Sequence, residues 1–581
     1  IGSCLSEVYV NKLRIINPNI CYDFILFNNA SELPNLNDKQ VTSSDFQYIQ
    51  IPLRSVLTDT VIRVVESAPL DLVSIGKRNI DIMLSSAMQY NIRYGILSFI
   101  SNFIVPQGRL APSLHEQDTD YDLTYVVRQL NVYLAHEVSK YQHAFIADID
   151  MIANTLGKKF FLDDIITFST HGSVIYPNWT LLEQFPEWTK PEQGRLEAIP
   201  DISLTYEIRD EEFFDAVFRQ IDSLFRIVKQ IDKVKVVIFD LDNTLWRGQL
   251  VEHYQPGLKW PYSDGWPLGM WEVISHLRRR GIIVTLVSKN DENLVISKWF
   301  DAVQPPFVKF EDFLLPQINW NPKGENIRLI LEKLSLTSKS ALFIDDNPVE
   351  RESVKTSLPG IRVLGTDPFI LKRILMYAPE TQIASRTKET ISREEMLKMQ
   401  IERDNEKVKM SRNDFLSSLM SKVNIYQIFD VNHPAFNRVF ELVNKTNQFN
   451  TTGNRWSMED YYLHFKNGGK VFVFSVKDRF VEYGTVGVVF TMHNRIVQFV
   501  MSCRVLGTDI EKAVIIFIIK KTRLYNNSNL IVASLVETEA NMPCRTLFLD
   551  CGFNQIEKNE FQLFDDSDLS MPNHVEITYT D

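Results

Sequence analysis

The sequence predicts a multidomain α/β protein with a parallel sheet at its centre, and three observations predict it. The chain has 581 residues, which at about 150 residues per domain suggests three to four domains. Its 45% hydrophobic content is that of packed domains, and 22 glycines with 24 prolines are too few for a low-complexity chain. Three apolar runs at 234–240, 282–288 and 341–345 alternate with helical patterns, as parallel strands joined by crossover helices do.

The regions follow in order. Residues 1–210 mix short apolar runs with helical patterns, such as 125–140 followed by the strand-like 143–147, and read as an α/β domain. At 210–230 an amphipathic helix is expected, with Phe213, Phe214, Val217, Ile221, Leu224 and Phe225 on one side. It leads into the parallel α/β domain, 211–377. Residues 378–421 are highly charged and helix-prone, the pattern of a solvated connecting helix. The last region, 422–581, shows alternating strand patterns at 470–476 and 484–492, a turn at 493–495, a third strand at 496–504 and a helix at 509–523. Its class is α+β.

Charge and cysteine usage exclude several functions. Lys and Arg number 62 against 73 Asp and Glu, a net charge of −11. A dedicated duplex-DNA binder needs a basic face instead, so no nucleic-acid partner is expected. The cysteines Cys4, Cys21, Cys503, Cys544 and Cys551 are odd in number and form no CxxC pair. Free thiols in a reducing compartment fit that pattern, and the cytoplasm is the expected location. The longest charge-poor apolar stretch, near 94–107, is too short to span a bilayer, so no membrane partner is expected either.

The strongest chemical signal is Asp240-Leu241-Asp242-Asn243-Thr244-Leu245-Trp246 at the end of an apolar strand. Alternate residues of a strand share a face, so Asp240 and Asp242 emerge together. Two carboxylates that close resist joint ionisation unless a cation sits between them, and hard oxygen ligands suit Mg²⁺. The second strand ends at Ser288, Lys323 precedes a helix expected to start near Glu325, and the third strand ends at Asp345 and Asp346. A nucleophilic carboxylate, a hydroxyl, an ammonium and an acidic pair are the groups that phosphoryl transfer requires.

These motifs resemble those of the haloacid dehalogenase (HAD) superfamily. The resemblance implies a Rossmann-like domain with an aspartyl-phosphate mechanism and Mg²⁺ as cofactor. Asp240 would be the nucleophile, Asp242 the general acid/base, and Thr244 a support for the loop. Ser288 and Lys323 would hold the phosphoryl group. Asp240, Asp242, Asp345 and Asp346 would form the metal site, Asp242 through its backbone carbonyl, with Asp346 preferred over Asp345 as a direct ligand. Only 44 residues separate Thr244 from Ser288 and 35 separate Ser288 from Lys323, so no sizeable lid is expected. The insert 246–266, with Tyr254, Trp260 and Tyr262, would be a partial flap or ordinary loop packing.

Wording around the motifs narrows the resemblance to the FkbH-like branch (HAD subfamily IIIC). Ser288-Lys289-Asn290-Asp291, Phe343 to Arg351, Asn444 to Thr452 and Ser502 to Gly507 carry it over about residues 230–555. The resemblance implies dephosphorylation of a phosphorylated acyl donor of the glyceryl type, then acyl transfer to an acyl carrier protein through a GNAT-like C-terminal domain. In GNAT folds a Q/R-x-x-G-x-G/A turn cradles a diphosphate. Here Arg504, Gly507 and Asn541 would bind CoA or carrier-protein phosphopantetheine, but Asp509 replaces the last Gly/Ala and Phe548 stands at the usual tyrosine position. Cys503 would carry an acyl thioester, since a neighbouring cation and a following helix start favour thiolates in general. Its alternative is a buried small hydrophobe. Gln448 and Asn450 would orient substrate or cap a loop. The alternative for the whole chain is a phosphatase, acting on a phosphorylated acyl or sugar-type substrate, whose flanking domains only bind substrate or partner.

The opening Gly2-Ser3-Cys4 resembles the nucleophile block of SGNH-type hydrolases, whose fold is flavodoxin-like. Asn102 would line an oxyanion hole and His171 would be a base, with Asp164 seven residues before it. The alternative is a scaffold that has lost catalysis.

Overall fold

A computed structural model describes residues 1–2, 4–27, 32–57, 71–106, 113–158, 210–253, 265–303, 308–365, 367–386, 393–407, 409–526, 528–564 and 569–580. The chain divides into two compact units. One comprises Ile1–Asp222 with Phe429–Asn437 and Trp456–Asn467; the other comprises Ser223–Ile428, Arg438–Arg455 and Gly468–Asp581.

The first unit is built on three parallel strands, β1 (Gln47–Ile49), β2 (Ser98–Ser101) and β3 (Ala144–Ala147), in that spatial order. The helix Leu123–Val138 leads into β3. It starts where the Asp122 side chain accepts from Thr124 N, 2.9 Å away, satisfying one of the orphan amides of a helix start. Its buried stripe of Leu123, Val126, Val127, Leu130, Leu134 and Val138 enters the unit's core. The α/β class expected of this region is what forms.

The second unit contains two sheets. The first has β4 (Val236–Phe239), β5 (Ile283–Ser288), β6 (Gln317–Ile318), β7 (Ala341–Ile344) and β8 (Arg362–Leu364), all parallel, in the order β6-β5-β4-β7-β8. Every residue of β4, β5 and β7 is buried, as expected of a parallel sheet covered on both faces. Alternation divides β4 between two cores. Val237 and Phe239 join Trp246, Trp271 and Trp299 on one face, and Val236 and Ile238 join Ile327 and Ile330 on the other. Because β4 lies between β5 and β7, the residues following these three strands share one edge, where ligand chemistry gathers in open α/β sheets.

The second sheet has eight strands: β9 (Ser421–Ile428), β10 (Lys470–Lys477), β11 (Glu482–Met492), β12 (Arg495–Met501), β13 (Ile531–Ser534), β14 (Asn554–Glu557), β15 (Glu560–Leu563) and β16 (Val575–Thr580). Their order is β14-β15-β13-β12-β11-β10-β9-β16. The β12–β13 and β16–β9 pairs are parallel and the others antiparallel. The expected hairpin turn forms at His493, whose φ of 51° is left-handed. The helix Ile510–Asn526 buries eight residues, including Val514 and Ile518, against the sheet.

The charged connector departs from expectation. Its helix, Arg393–Lys407, is docked as well as charged. Met396 enters the core of the eight-stranded sheet, and Leu397 and Ile401 pack on the β4 sheet's core. Arg278 pairs with Glu394 at 2.9 Å, and the buried Arg403 donates to Tyr483 Oη at 2.7 Å. Its few apolar residues fall where neighbours need them, although charge dominates the composition. Among the described residues no helix is long and apolar enough to cross a membrane.

One cross-strand pair tests the packing of the eight-stranded sheet. Gly487 faces Phe474, and a Cβ on Gly487 would lie 2.0 Å from that buried ring. Gly487→Ala is expected to destabilise the unit by about 1–3 kcal/mol. Adding Phe474→Leu is expected to recover part of that loss in thermal melts, and no recovery would contradict the assigned register.

Candidate active site

The site begins with a tight loop after β4. Asp240 N donates to Ile344 O at 2.9 Å, carrying the pairing of β4 with β7 one residue beyond the strand. The chain then turns back on itself. Leu245 N donates to Leu241 O at 2.9 Å, and Asn243, at a φ of 53°, accepts from Gly248 N at 2.8 Å. The turn brings the Trp246 indole to Asp242: Nε1 donates to Oδ1 at 2.8 Å, joined by Leu250 N at 3.1 Å. Asn290 Nδ2 donates to the other oxygen, Oδ2, at 3.0 Å.

Around Asp240 the expected residues converge. Lys323 opens the helix Lys323–Lys333, starting two residues earlier than the sequence suggested, and is buried. A cation at a helix N-terminus opposes the dipole, but here two carboxylates compensate. Lys323 Nζ lies 2.6 Å from Asp345 Oδ2 and 3.0 Å from Asp240 Oδ1. Burial works against its charge, yet Asp240 and Asp345 outweigh that and hold its pKa above the ordinary value. Asp240 moves the same way for a different reason. Its burial disfavours the carboxylate more than Lys323 favours it, and Asp345 adds repulsion, so its pKa is raised. Ser288 lies beside Asp240, where it offsets a small part of the upward shift, and its Oγ accepts from Asn290 Nδ2 at 3.2 Å. Thr244 Oγ1 accepts from Asp346 N at 3.2 Å, joining the loop after β4 to the loop after β7.

The acidic pair is clamped from behind. Arg351 Nη1 donates to the carbonyls of Asp345 and Asp346 at 2.6 and 2.8 Å. Asp345 N donates to Leu364 O at 3.1 Å. At Gly365, φ is 149° and a Cβ would sit 1.9 Å from the Asp345 carbonyl oxygen. Any side chain there would push the loop out of place.

Carboxylate oxygens of Asp240, Asp345 and Asp346 all lie within 4.8 Å of one another. Three acids against one lysine leave net negative charge, and Asp240 Oδ1 is buried with no aligned hydrogen-bond donor. An all-oxygen set with an unmet acceptor fits a hard divalent cation such as Mg²⁺. Asp345 already accepts from Lys323 on Oδ2 and, at 2.8 Å, from Asn347 N on Oδ1. Asp346 is exposed, which favours it as the direct ligand. Both oxygens of Asp242 are engaged elsewhere, and its carboxylate stands outside the cluster.

Sequence reasoning gave no role to Trp246, Asn290 or Arg351 in this site. Asn290 was accessible, since it lies two residues after Ser288 and alternation puts both on one side. The Trp246 contact depends on a turn closing over four residues, and the Arg351 clamp on how its helix leaves β7.

The C-terminal candidates are not gathered in the same way. Cys503 is exposed, in a short turn after β12, which removes the buried-hydrophobe alternative. Arg504 donates to Ser502 Oγ at 3.1 Å and lies 3.2 Å from Met396 Sδ. Gly507 has a φ of 71° with open space around it. Asn541 is fully buried. Its Nδ2 donates to Asn450 O and Val536 O, both at 2.9 Å, and its Oδ1 accepts from Thr538 N at 2.8 Å. These bonds make Asn541 a clamp between loops and leave its amide hydrogens nothing to give a cofactor. Asn450 caps its own loop, accepting from Gly453 N at 3.0 Å, while Gln448 is exposed. Only Arg495 and Ile496 of β12 pair with β13. Beyond them Phe449–Thr451 enters beside β12: Met501 N donates to Phe449 O and Thr451 N to Phe499 O, at 2.9 and 3.0 Å. Phe548 is buried in the core.

In the first unit Asn102 spans the loop before the helix Ile149–Leu156. It donates to Asp148 Oδ1 at 2.7 Å and accepts from Asp150 N at 3.2 Å. Ser3, Asp164 and His171, like Tyr254, Trp260 and Tyr262, lie outside the described residues.

The acidic cluster predicts a metal-linked stability change. Mg²⁺ is expected to raise the melting temperature by mass action on the folded state, and Asp346→Asn to remove that rise. Without metal, Asp346→Asn is expected to be neutral or stabilising by up to about 1 kcal/mol, because one like charge leaves the cluster. A Mg²⁺ shift that survives the substitution would place the ion elsewhere.

No family model matches the chain, and no curated protein matches it. In part it is similar to several solved structures, three of which follow. One is the magnesium complex of the N-terminal part of BF1531 from Bacteroides fragilis, containing a phosphatase domain, at 19% identity over 65% of this chain and 93% of that one, TM-score 0.42. Another is the cobalt-bound deoxy-D-mannose-octulosonate 8-phosphate phosphatase of Haemophilus influenzae, at 18% identity over 25% and 90%, TM-score 0.19. The third is the 3-deoxy-D-manno-octulosonate 8-phosphate phosphatase of Moraxella catarrhalis with magnesium, phosphate and KDO, at 13% identity over 27% and 92%, TM-score 0.20. At identities of 13–19% and TM-scores of 0.19–0.42, the functional reading rests on this chain's own geometry.

Proposed function

We propose that the chain is a Mg²⁺-dependent phosphatase of the HAD type. The observation that carries this reading is the buried Asp240 carboxylate, joined through Lys323 to Asp345 and left with one oxygen lacking an aligned donor.

Asp240 attacks phosphorus, forming an aspartyl-phosphate as the bond to the leaving oxygen breaks. Asp242 gives that oxygen its proton, then takes one from the water that hydrolyses the intermediate. The Ser288 hydroxyl and the Lys323 ammonium hold the equatorial phosphoryl oxygens. Mg²⁺, held by Asp240, Asp346 and the Asp242 backbone carbonyl, would neutralise charge on the phosphoryl group. Trp246 and Asn290 are positioning residues: their bonds to Asp242 fix the carboxylate that moves the proton.

For the rest of the chain two readings compete, acyl transfer to a carrier protein and binding of substrate or partner. The exposed Cys503 supports the first. The second is favoured by Asn541 serving as a loop clamp, by Phe449–Thr451 lying beside β12, and by the buried Phe548, which has no proton to give. The expected substrate is a phosphorylated acyl or sugar-type compound.

Phosphate release from a panel of phosphorylated three-carbon acids and sugars tests the reading. Asp240→Asn is expected to lower it by at least about a thousandfold, and unchanged release would overturn the proposal. With p-nitrophenyl phosphate, whose leaving group needs no acid, Asp242→Asn is expected to accumulate protein phosphorylated on Asp240, detected by mass spectrometry. Trp246→Phe is expected to lower kcat by about tenfold or more with little change in KM. A change confined to KM would assign the indole to substrate binding instead.

A further inference from the structure

A second cluster of charge lies at the opposite edge of the β4 sheet. Lys233 and Lys235 precede β4, and Lys235 is fixed by backbone bonds to Ser340 and Ile283 at 2.8 and 3.0 Å. Asp240 lies five residues along extended chain from Lys235, about 16 Å at the rise of a strand. Arg393 begins the docked connector helix, and Arg438 and Lys445 project from the helix Phe436–Lys445. Glu441, on that same helix, lies among them. Arg438 Nη1 is 2.7 Å from Glu441, Lys445 pairs with it too, and Gln230 Nε2 donates to it at 3.3 Å.

Five cations therefore share one carboxylate that two of them already hold. Among the described residues, the side chains of Lys233, Lys235 and Arg393 form no hydrogen bond or ion pair, and Arg438 Nε is buried without an acceptor. Burial, followed by repulsion from Arg393, lowers Lys233 to about 8, and burial lowers Lys445 to about 7 despite Glu441. Unpaired cations withdrawn from water destabilise a fold unless an anion joins them. Solvent still reaches the cluster, since the side chains of Arg438 and Lys445 are 20% and 29% exposed.

The Cys503 thiol is exposed and lies near enough to interact electrostatically with both Lys235 and Arg393. The turn after Cys503 offers less to an anion. Its Asp509 carboxylate pairs with Arg412 at 2.8 Å and lies 3.6 Å from His574.

We propose that Lys233, Lys235, Arg393, Arg438 and Lys445 form a binding basin for a phosphate-bearing compound of at least two negative charges, seated so that its chain meets the Cys503 thiol. Its distance from Asp240 along the strand makes it a separate site, and it stands without the phosphatase reading. Such a compound could be a nucleotide diphosphate arm or a small phosphorylated acid, which share the phosphate chemistry that lysines and arginines recognise.

The test is the rate of iodoacetamide alkylation at Cys503 in the full-length protein, read by peptide mass spectrometry. The exposed Cys21, in the first unit, is the internal reference. Pyrophosphate is expected to slow Cys503 roughly fivefold or more while Cys21 is unchanged, with chloride at equal ionic strength lacking the effect. Lys233→Gln with Lys235→Gln is expected to abolish the protection, and Lys235→Arg to keep it. Stronger protection by desulfo-CoA than by 3-phosphoglycerate assigns a nucleotide diphosphate arm, and the reverse order a phosphorylated acid; each supports the basin. Equal Cys503 rates with and without pyrophosphate would overturn it. The wild-type arm stands even if the double variant fails to fold. If that variant folds and its protection is undiminished, the basin is also overturned.

Discussion

The ion pair of Lys323 with Asp240 and Asp345 is the interaction on which the site depends. Three carboxylates converge at the carboxyl edge of a buried parallel sheet, and at that spacing they repel one another. Lys323 offsets part of the repulsion from a buried position, 2.6 Å from Asp345 and 3.0 Å from Asp240. Removing one partner from such a buried pair typically costs about 3–5 kcal/mol, because the other charge is left without compensation. The remaining negative charge makes the cluster suited to a divalent cation and a phosphoryl group. Strand order does the assembling. With β4 between β5 and β7, residues far apart in sequence reach one edge without long loops.

A different principle shapes the eight-stranded sheet. Where β12 and β13 part, Phe449–Thr451 supplies backbone partners to β12, and Thr451 O accepts from Val536 N at 2.8 Å. Asn450 and Asn541 hold that segment with amides that are fully buried and bonded. The 449–451 segment therefore closes a gap in the sheet. The chemistry left at the surface is the Cys503 thiol and the cations behind it. The docked connector helix contributes to both sides, with Met396 in one core, Leu397 and Ile401 on the other, and Arg393 in the basin.

Much of the candidate site was legible because most of its residues stand directly after apolar runs. Strand alternation and motif order place Asp240, Asp242, Ser288, Lys323 and the Asp345–Asp346 pair with no knowledge of loops. Trp246 and Arg351 were not legible, since their contacts depend on how a turn and a helix leave their strands. The connector was misjudged because composition averages over a helix, whereas docking needs only Met396, Leu397 and Ile401 in position. Asn541 looked like a ligand residue from its motif and became a clamp through backbone groups at 450 and 536, a long-range contact with no local signal. The basin was equally hidden, its cations being drawn from residues 233–235, 393 and 438–445.

In the proposed reaction Asp240 accepts phosphorus beside a divalent cation held by its acidic neighbours. A crystal structure grown with Mg²⁺ and trifluoroberyllate would show this step. Beryllium is expected to be bonded to Asp240, its fluorides contacted by Ser288 and Lys323, and the ion held by Asp240, Asp346 and the Asp242 carbonyl. Beryllium absent from Asp240, with the ion bound away from Asp346, would contradict it.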